Sequence, residues 1–155
     1  MRDKIKFDLD DKDKEILELL QDQGDLTFVE LGKKLNMSPS TAYIRVRRLK
    51  EGGYIRKTIV LVDYSKVGYR IKAFIFVKVD PKKFDSVIKH IEKIDKVLHM
   101  YDITGEPALL LYAVTKDHDD LAVLLDEIGK IDGVLSTNTM VVLRTLKEEY
   151  KVRVK

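Results

Sequence analysis

Positive charge is concentrated in one short stretch of the chain. Residues 39–57 contain six Lys or Arg side chains and one Glu, a local excess of five positive charges, whereas the whole 155-residue chain carries +3. Guanidinium and ammonium groups at this density bind phosphate oxygens, and arginine can also donate two parallel hydrogen bonds to the edge of a guanine. The stretch therefore indicates a polyanionic partner, and double-stranded DNA is the main candidate.

Two helices are predicted before the basic stretch. Apolar side chains recur on one helical face over 11–22, and Gly24 ends that pattern. A second apolar pattern follows Thr27 and reaches Asn36, and Glu30 stands three residues after Thr27 as in a capping box. We therefore expect two short helices joined by a tight connection.

The basic stretch itself begins with a third predicted helix. Ser38 is a good N-cap, Pro39 occupies the first helical position where its missing N–H costs nothing, and Gly52 ends the helix. Only Asn36 and Met37 separate this helix from the preceding one, which is too short a connection for antiparallel packing. The spacing predicts a helix-turn-helix.

The faces of the third helix have different compositions. Ala42, Val46 and Leu49 form an inward stripe, so the hydroxyl and basic side chains between them face outward or flank that outward face. A solvated basic face is the plain alternative, but the short turn and the N-cap favour DNA. The predicted DNA-binding residues are Ser38, Ser40, Thr41, Ile44, Arg45, Arg47, Arg48 and, beyond the helix, Lys57.

Different contacts are expected within this set. Outward-facing Arg47 and Arg48 can donate to guanine, whereas Arg45 and Lys57 are placed for phosphates. Ile44 is apolar and is expected to touch a thymine methyl or a sugar. Residues 54–62 are rich in β-formers and follow a double glycine, so they predict a strand or a two-stranded wing.

The second part of the chain contains an internal repeat. Five apolar positions that begin at Phe84 recur with the same helical spacing from Leu121, 37 residues later. Extended apolar segments at 71–79, 97–104, 108–115 and 134–143 complete a β-α-β-β-α-β order, a ferredoxin-like and ACT-like arrangement. The predicted class is α+β, with a winged helix-turn-helix domain at 1–64 and a ferredoxin-like domain at 65–155.

The predicted sheet is apolar on both faces. Phe74 and Phe76 alternate with Ala73, Ile75 and Val77, and two helices can cover only one face. We expect the other face to pack against a second copy of the protein. The terminal segment 145–155 is the alternative cover, but it is largely charged.

Several function classes lack their sequence features. The chain has no cysteine, and its amino terminus, Met1–Lys6, is too charged for a signal peptide. No apolar run approaches the length of a membrane span, so a cytoplasmic protein without a membrane partner is expected. His90, His99 and His118 have no metal-ligand spacing, and no Gly-rich phosphate loop or nucleophile elbow occurs. We expect no enzyme activity, no metal site and no cofactor.

Taken together, these motifs resemble the Lrp/AsnC, or feast/famine, family of transcription regulators. The resemblance covers nearly the whole chain and implies a DNA-binding transcription regulator whose third helix reads DNA. It also implies a βαββαβ domain that forms dimers and larger assemblies such as octamers and that often binds amino acids. The residues that carry the resemblance are Leu9-Asp10, Asp13, Ile16-Leu17, Leu31, Leu35, Met37-Ser38-Pro39-Ser40, Arg45-Val46-Arg47-Arg48-Leu49 and Gly53-Tyr54-Ile55.

The effector loop departs from the family pattern. Members commonly read Gly, any residue, Tyr, Asp between the second and third strands, whereas this chain has Gly105-Glu106-Pro107-Ala108. The acid that could meet a ligand ammonium is absent unless Glu106 or Asp102 replaces it. An ordinary hairpin turn remains the alternative. The residues implied for a small-molecule effector of unknown identity are Asp102, Thr104, Gly105, Glu106, Thr137 and Thr139.

Three functional alternatives remain open. An architectural protein that wraps DNA would show a steep salt dependence without a preferred site. A metabolic enzyme with a small-molecule site in the ferredoxin-like domain is the alternative from another class. An effector-blind regulator would keep the DNA interface and lack the ligand.

Overall fold

The chain forms two compact units. The computed structural model describes residues 8–106 and 108–155. Of these, the residues up to Leu61 pack together with Lys147–Lys155 as unit 1, and Val62–Leu146 form unit 2. No helix within the described ranges is long and apolar enough to cross a membrane. The predictions made on Met1–Lys6 and Pro107 fall outside the described residues.

Unit 1 contains the three predicted helices. They are α1 (Asp11–Asp22), α2 (Phe28–Leu35) and α3 (Pro39–Glu51). Thr27 and Glu30 form a capping box on α2, and the Ser38 hydroxyl caps α3, so these local signals are confirmed. The helices bury one apolar stripe each. The core contains Ile16, Leu31, Ala42, Val46 and Leu49, all at most 5 % exposed.

The predicted wing strand is wrong for this chain. Residues 54–63 have no regular secondary structure, and every strand among the described residues belongs to the sheet of unit 2. A β-ladder needs a second strand to accept and donate its hydrogen bonds, and none of the four described strands pairs with this segment. Val60 therefore remains 86 % exposed despite its β-forming character.

Unit 2 has the predicted β-α-β-β-α-β order. Its elements are β1 (Ile71–Val79), α4 (Phe84–Ile91), β2 (Val97–Asp102), β3 (Leu109–Thr115), α5 (His118–Gly129) and β4 (Val134–Val141), with short 3-10 turns at Tyr64–Val67 and Pro81–Lys83. The four strands form one antiparallel sheet in the order β2-β3-β1-β4. The ferredoxin-like architecture is confirmed, although three strands are slightly shorter than predicted.

The two faces of this sheet differ in burial. Ala73, Ile75 and Val77 pack with the apolar stripes of α4 and α5 and are at most 1 % exposed. On the opposite face, which we call the open face, Phe74 is 38 % exposed and stacks on Tyr112 with ring centroids 5.3 Å apart. Met140, the register partner of Phe74 on β4, is 55 % exposed. The alternation predicted for β1 is therefore present.

The carboxy-terminal tail belongs to unit 1. We use tail for Lys147–Lys155, which the predicted second domain, 65–155, includes. In the structure Val152 and Val154 donate backbone hydrogen bonds to side chains of α1. No local sequence signal predicts this placement because the partners are more than 130 positions apart.

Candidate nucleic-acid interface

A close approach of two helices builds the helix-turn-helix corner. Asn36 ends α2 in the left-handed conformation, with φ 51°, and the Met37 amide donates to the Gly32 carbonyl at 2.9 Å. A side-chain carbon on Gly32 would lie 2.6 Å from the Met37 carbonyl oxygen. Only glycine fits there, so Gly32 sets the approach of α3 to α2. Sequence reasoning missed it, since a glycine inside a helix carries no spacing signal.

Hydroxyl groups cluster at the amino terminus of α3. The Ser38 hydroxyl accepts from the Thr41 amide at 3.1 Å and also lies 2.9 Å from the Ser40 hydroxyl and 2.7 Å from the Thr41 hydroxyl. All three residues are exposed. The positive end of the helix macrodipole lies here, which favours an anionic group such as a phosphate.

The outward face of α3 presents an apolar and a basic side chain. Ile44 is 63 % exposed and the Arg47 side chain is 64 % exposed. The Arg47 Nε donates to Glu51 at 2.8 Å, and this hydrogen bond raises the pKa of Arg47. Because Glu51 engages the Nε side of the guanidinium, the bond orients the group along the helix.

An aromatic pair lies beside this face. Tyr43 on α3 and Phe28 on α2 meet edge to face with centroids 5.3 Å apart, and both are partly exposed. Tyr43 was not among the predicted DNA-binding residues, although it lies one helical turn before Arg47. The spacing from Arg47 was the signal that could have found it.

Arg45 and Arg48 form ion pairs with acidic side chains at the amino end of α1. Arg45 Nη1 donates to Asp10 at 2.7 Å and to Asp13 at 2.8 Å, and Arg48 Nη2 donates to the other Asp13 oxygen. Asp13 is fully buried, whereas the two Arg side chains are 25 % and 45 % exposed. We call Asp10, Asp13, Arg45 and Arg48 the acid–arginine cluster.

This cluster changes the role expected for Arg48. A helical wheel places Arg48 outward, but a buried carboxylate requires a cation, and the long Arg side chain reaches back to supply it. The hydrogen bond from Arg45 lowers the pKa of Asp10 and raises that of Arg45. The cluster ties α1 to α3, which a wheel drawn on α3 alone cannot show.

Lys57 follows α3 by six residues. It is exposed, as is Arg56, and both come directly after Ile55, which packs on the core of unit 1. The segment is thus anchored at Ile55 and carries two cations outward. This is compatible with phosphate contacts beside the helix.

The predicted effector residues do not gather at one point of this chain. Asp102 lies on edge strand β2, whereas Thr137 and Thr139 lie on the opposite edge strand β4, paired with Val77 and Ile75. Three strand spacings separate the two edges, about 14 Å. Asp102 therefore does not lie beside Thr137 or Thr139 within one sheet.

The loop between β2 and β3 carries the remaining effector residues. Thr104, Gly105 and Glu106 are exposed, and Gly105 has φ 88°, a conformation that favours glycine. The Glu106 carboxylate accepts from the Lys78 ammonium at 2.8 Å, which lowers the pKa of Glu106. The acid considered as a substitute for the family's Asp is therefore already paired with a lysine, at an exposed position.

Within residues 8–106 and 108–155, no group of three or more acidic or His side chains could hold a metal ion. His99 instead lies 3.1 Å from the Tyr101 hydroxyl, and His90 lies 2.7 Å from the Ser86 carbonyl.

Two family models match the chain. The model for the winged helix-turn-helix DNA-binding domain matches residues 9–56, and the model for the Lrp/AsnC ligand binding domain matches residues 72–152. The chain belongs to the Lrp/AsnC family of transcriptional regulators. The first match covers α1 to α3, and the second covers the whole sheet and reaches into the tail.

Two similar proteins are named as HTH-type transcriptional regulators. The chain is 35 % identical to the HTH-type transcriptional regulator FL11 of Pyrococcus horikoshii over 97 % of this chain and 100 % of that protein. It is 37 % identical to FL11 of Pyrococcus furiosus over 95 % of this chain and 97 % of that protein. These relatives are named as transcriptional regulators, not as enzymes.

Solved structures of Lrp/AsnC regulators share the fold. A transcriptional regulator from Neisseria meningitidis in complex with L-methionine superimposes with a TM-score of 0.89 at 29 % identity, covering 94 % of this chain and 96 % of that one. Escherichia coli AsnC gives 0.86 at 28 % identity over 94 % and 99 %. A feast or famine regulatory protein from M. tuberculosis complexed with L-methionine gives 0.88 at 26 % identity over 95 % and 100 %.

Proposed function

We propose that this Lrp/AsnC regulator binds double-stranded DNA sequence-specifically by placing α3 in the major groove. The observation that carries the proposal is the exposed face of α3, which combines a clustered set of hydroxyls, an apolar Ile44 and an Arg47 oriented by Glu51. A helix that enters the groove with its first turns against the bases needs this combination.

Each side chain has a proposed role. Arg47 donates to a guanine edge, Ile44 contacts a thymine methyl, and the hydroxyls of Ser40 and Thr41 contact base edges or phosphates. Ser38 caps the helix and adds a phosphate contact. Lys57 contacts phosphate from the segment after α3.

The acid–arginine cluster supports this interface from behind. Arg45 and Arg48 satisfy buried Asp13 and thereby hold α3 against α1. Their exposed fractions still allow a phosphate contact, but their main contribution is to position α3. This assigns base reading to Arg47 rather than to Arg47 and Arg48 together.

We also propose that the open face of the sheet forms a homodimer. Phe74, Tyr112 and Met140 form an apolar patch that water would otherwise cover in part. A two-fold dimer presents two α3 helices, so the preferred DNA is an inverted repeat with half-site centres about one helical turn, or a multiple of it, apart. Larger assemblies such as octamers would repeat this unit. We propose that the protein is located in the cytoplasm.

A small-molecule effector is proposed to bind near Gly105, Glu106 and Thr139, at an interface between copies. Two of the similar structures are complexes with L-methionine, which supports a ligand in this domain. In this chain Glu106 pairs with Lys78, so this acid would have to leave the lysine to meet an incoming ammonium. An α-ammonium taken from water needs such an acid. We therefore expect a standard amino acid to bind weakly or not at all.

Calorimetric titration of the full protein with each of the twenty amino acids measures this expectation. We expect weak binding heats or none. A tight signal that Glu106→Ala abolishes would show that Glu106 binds the ammonium despite Lys78, and it would contradict the proposed loop chemistry.

The DNA proposal is tested by quantitative binding to a random-sequence DNA pool at physiological salt. We expect enrichment of one site, with specific binding tighter than binding to the unselected pool by a factor of about 10³ or more. A steep salt dependence without enrichment would identify an architectural DNA-wrapping protein. Absence of binding would contradict the proposal and reopen an enzymatic function.

A further inference from the structure

The tail contacts α1 through its backbone rather than through its side chains alone. The Gln21 amide accepts from the Val152 N–H at 2.8 Å and donates to the Val152 carbonyl at 3.0 Å. The Glu18 carboxylate accepts from the Val154 N–H at 2.7 Å. The N–H and carbonyl of Val152 and the N–H of Val154 are backbone groups that a neighbouring β-strand would engage in a sheet, and here two helix side chains engage them.

A charge pair and an apolar groove add to these bonds. Lys151 lies 2.6 Å from Asp22 and 3.6 Å from Glu18, and its pKa is raised by the hydrogen bond to Asp22. Tyr150, Val152 and Val154 line one groove of unit 1, together with apolar side chains of α1 and of the segment after α3. Backbone bonds, charge and apolar contact therefore coincide on one short segment.

We propose that the α1 surface formed by Glu18, Gln21 and Asp22 is a docking site for an extended peptide, and that its occupant is the tail of the same chain. The Lrp/AsnC ligand binding domain model extends to residue 152, yet these residues pack with the DNA-binding helices. β4 ends at Val141, so residues 142–146 connect the last strand of the ligand-binding domain to the docked tail. The docked tail gives that domain a second attachment to the DNA-binding unit, in addition to the linker after α3.

The chemistry of the site defines a selective variant. Gln21→Glu keeps the size and one acceptor but replaces the donor to the Val152 carbonyl with a carboxylate oxygen. Gln23→Glu makes the same change at an exposed position just beyond α1 and is the matched control. Hydrogen–deuterium exchange of the full-length protein reports docking directly, because an undocked tail leaves the Val152 and Val154 amides open to water.

We expect Gln21→Glu to accelerate exchange at Val152 and Val154 about tenfold, as the loss of one backbone hydrogen bond implies, and Gln23→Glu to leave it unchanged. Val152→Pro removes the donor N–H of the same pair. Since both changes act on one contact, exchange at Val154 in the double variant should be no faster than in the faster single variant. Equal exchange in wild type and Gln21→Glu, or additive effects in the double variant, would overturn the proposal.

A mixture of chains distinguishes the occupant. Gln21→Glu chains retain a normal tail, and Val152→Pro chains retain a normal α1 surface. The two variants are mixed under conditions that let their subunits recombine. If the tail docks within its own chain, the tail amides of each variant then exchange hydrogen as fast as they do in that variant alone. Slow exchange at the Val152 amide of the Gln21→Glu chains in the mixture would assign the occupant to a second copy and overturn docking within the chain. DNA binding enters none of these readouts, so failure of the proposed DNA function would leave this test intact.

Discussion

Replacement of Asp13 by Asn tests whether the acid–arginine cluster positions α3. Asp13 is fully buried and accepts from Arg45 and Arg48, so Asp13→Asn removes a charge partner from Arg48 and one of the two acids that Arg45 contacts. Breaking a fully buried ion pair costs about 3–5 kcal/mol. Because the two Arg side chains are 25 % and 45 % exposed, water compensates part of this loss. We expect a decrease of about 2–3 kcal/mol in the free energy of unfolding of unit 1.

Asp11→Asn is the matched control for Asp13→Asn. Asp11 lies in the same first turn of α1, is 95 % exposed and is 3.7 Å from Lys14. It should change the unfolding free energy by less than about 0.5 kcal/mol. Calorimetry of the full-length protein should show the transition of unit 1 lowered on the order of 10–20 °C in Asp13→Asn, at about 4–8 °C per kcal/mol for a unit of this size.

The direction of the change in DNA affinity separates two explanations of the cluster. If Arg45 and Arg48 mainly hold α3, Asp13→Asn weakens binding to the selected site because the helix loses its support. If the two arginines mainly contact DNA, release from Asp13 strengthens binding. Stronger binding, or a melting temperature equal to that of Asp11→Asn, would refute the positioning role.

Three further predictions follow from the structure. Gly32→Ala should destabilise unit 1 by about 1–3 kcal/mol because its new methyl carbon meets the Met37 carbonyl oxygen, whereas Gly129→Ala, with open space around it, should not destabilise unit 2 in the same thermal melts. The hydrogen bond from Arg45 lowers the pKa of Asp10, so this pair stabilises unit 1 at pH values above the ordinary pKa of an aspartate, about 3.9. The stabilisation is lost as the pH falls through the lowered pKa that Asp10 has in the folded protein. Asp10→Asn should flatten the acid decline of the unit 1 melting temperature, and an unchanged decline would contradict that assignment. Phe74→Asp on the open face should shift the protein to monomer in light scattering, whereas Val123→Asp on α5, which is 60 % exposed, should not.

Local signals predicted most of the fold. The capping residues Thr27 and Ser38 located the helix starts, and the repeated apolar spacing after Phe84 and Leu121 located α4 and α5. Both signals depend on neighbours within one turn or one strand, so they can be read along the chain. The strand predicted after α3 was wrong because a strand also requires a partner, and none of the strands in the described part of the chain pairs with residues 54–63.

The parts of the candidate site that sequence reasoning missed depend on long-range contacts. Asp13 was named only among the residues that resemble the Lrp/AsnC family, and its pairing with Arg48 joins residues 35 positions apart. The tail was considered only as a cover for the sheet because its contacts with Gln21 span 131 positions. Burial of a charged group creates such pairings, and neither composition nor periodicity measures burial.

The base-pair specificity of Arg47→Ala tests most directly whether α3 reads DNA. Binding of wild type and variant to the selected site and to all single base-pair changes of that site should be measured at fixed salt, with Lys12→Ala on α1 as a charge-matched control. We expect Arg47→Ala to lose about 1–3 kcal/mol of discrimination at one base pair per half-site, and Lys12→Ala to keep the wild-type profile. If Arg47→Ala keeps the wild-type discrimination at every base pair, that result would contradict the claim that α3 reads DNA through Arg47.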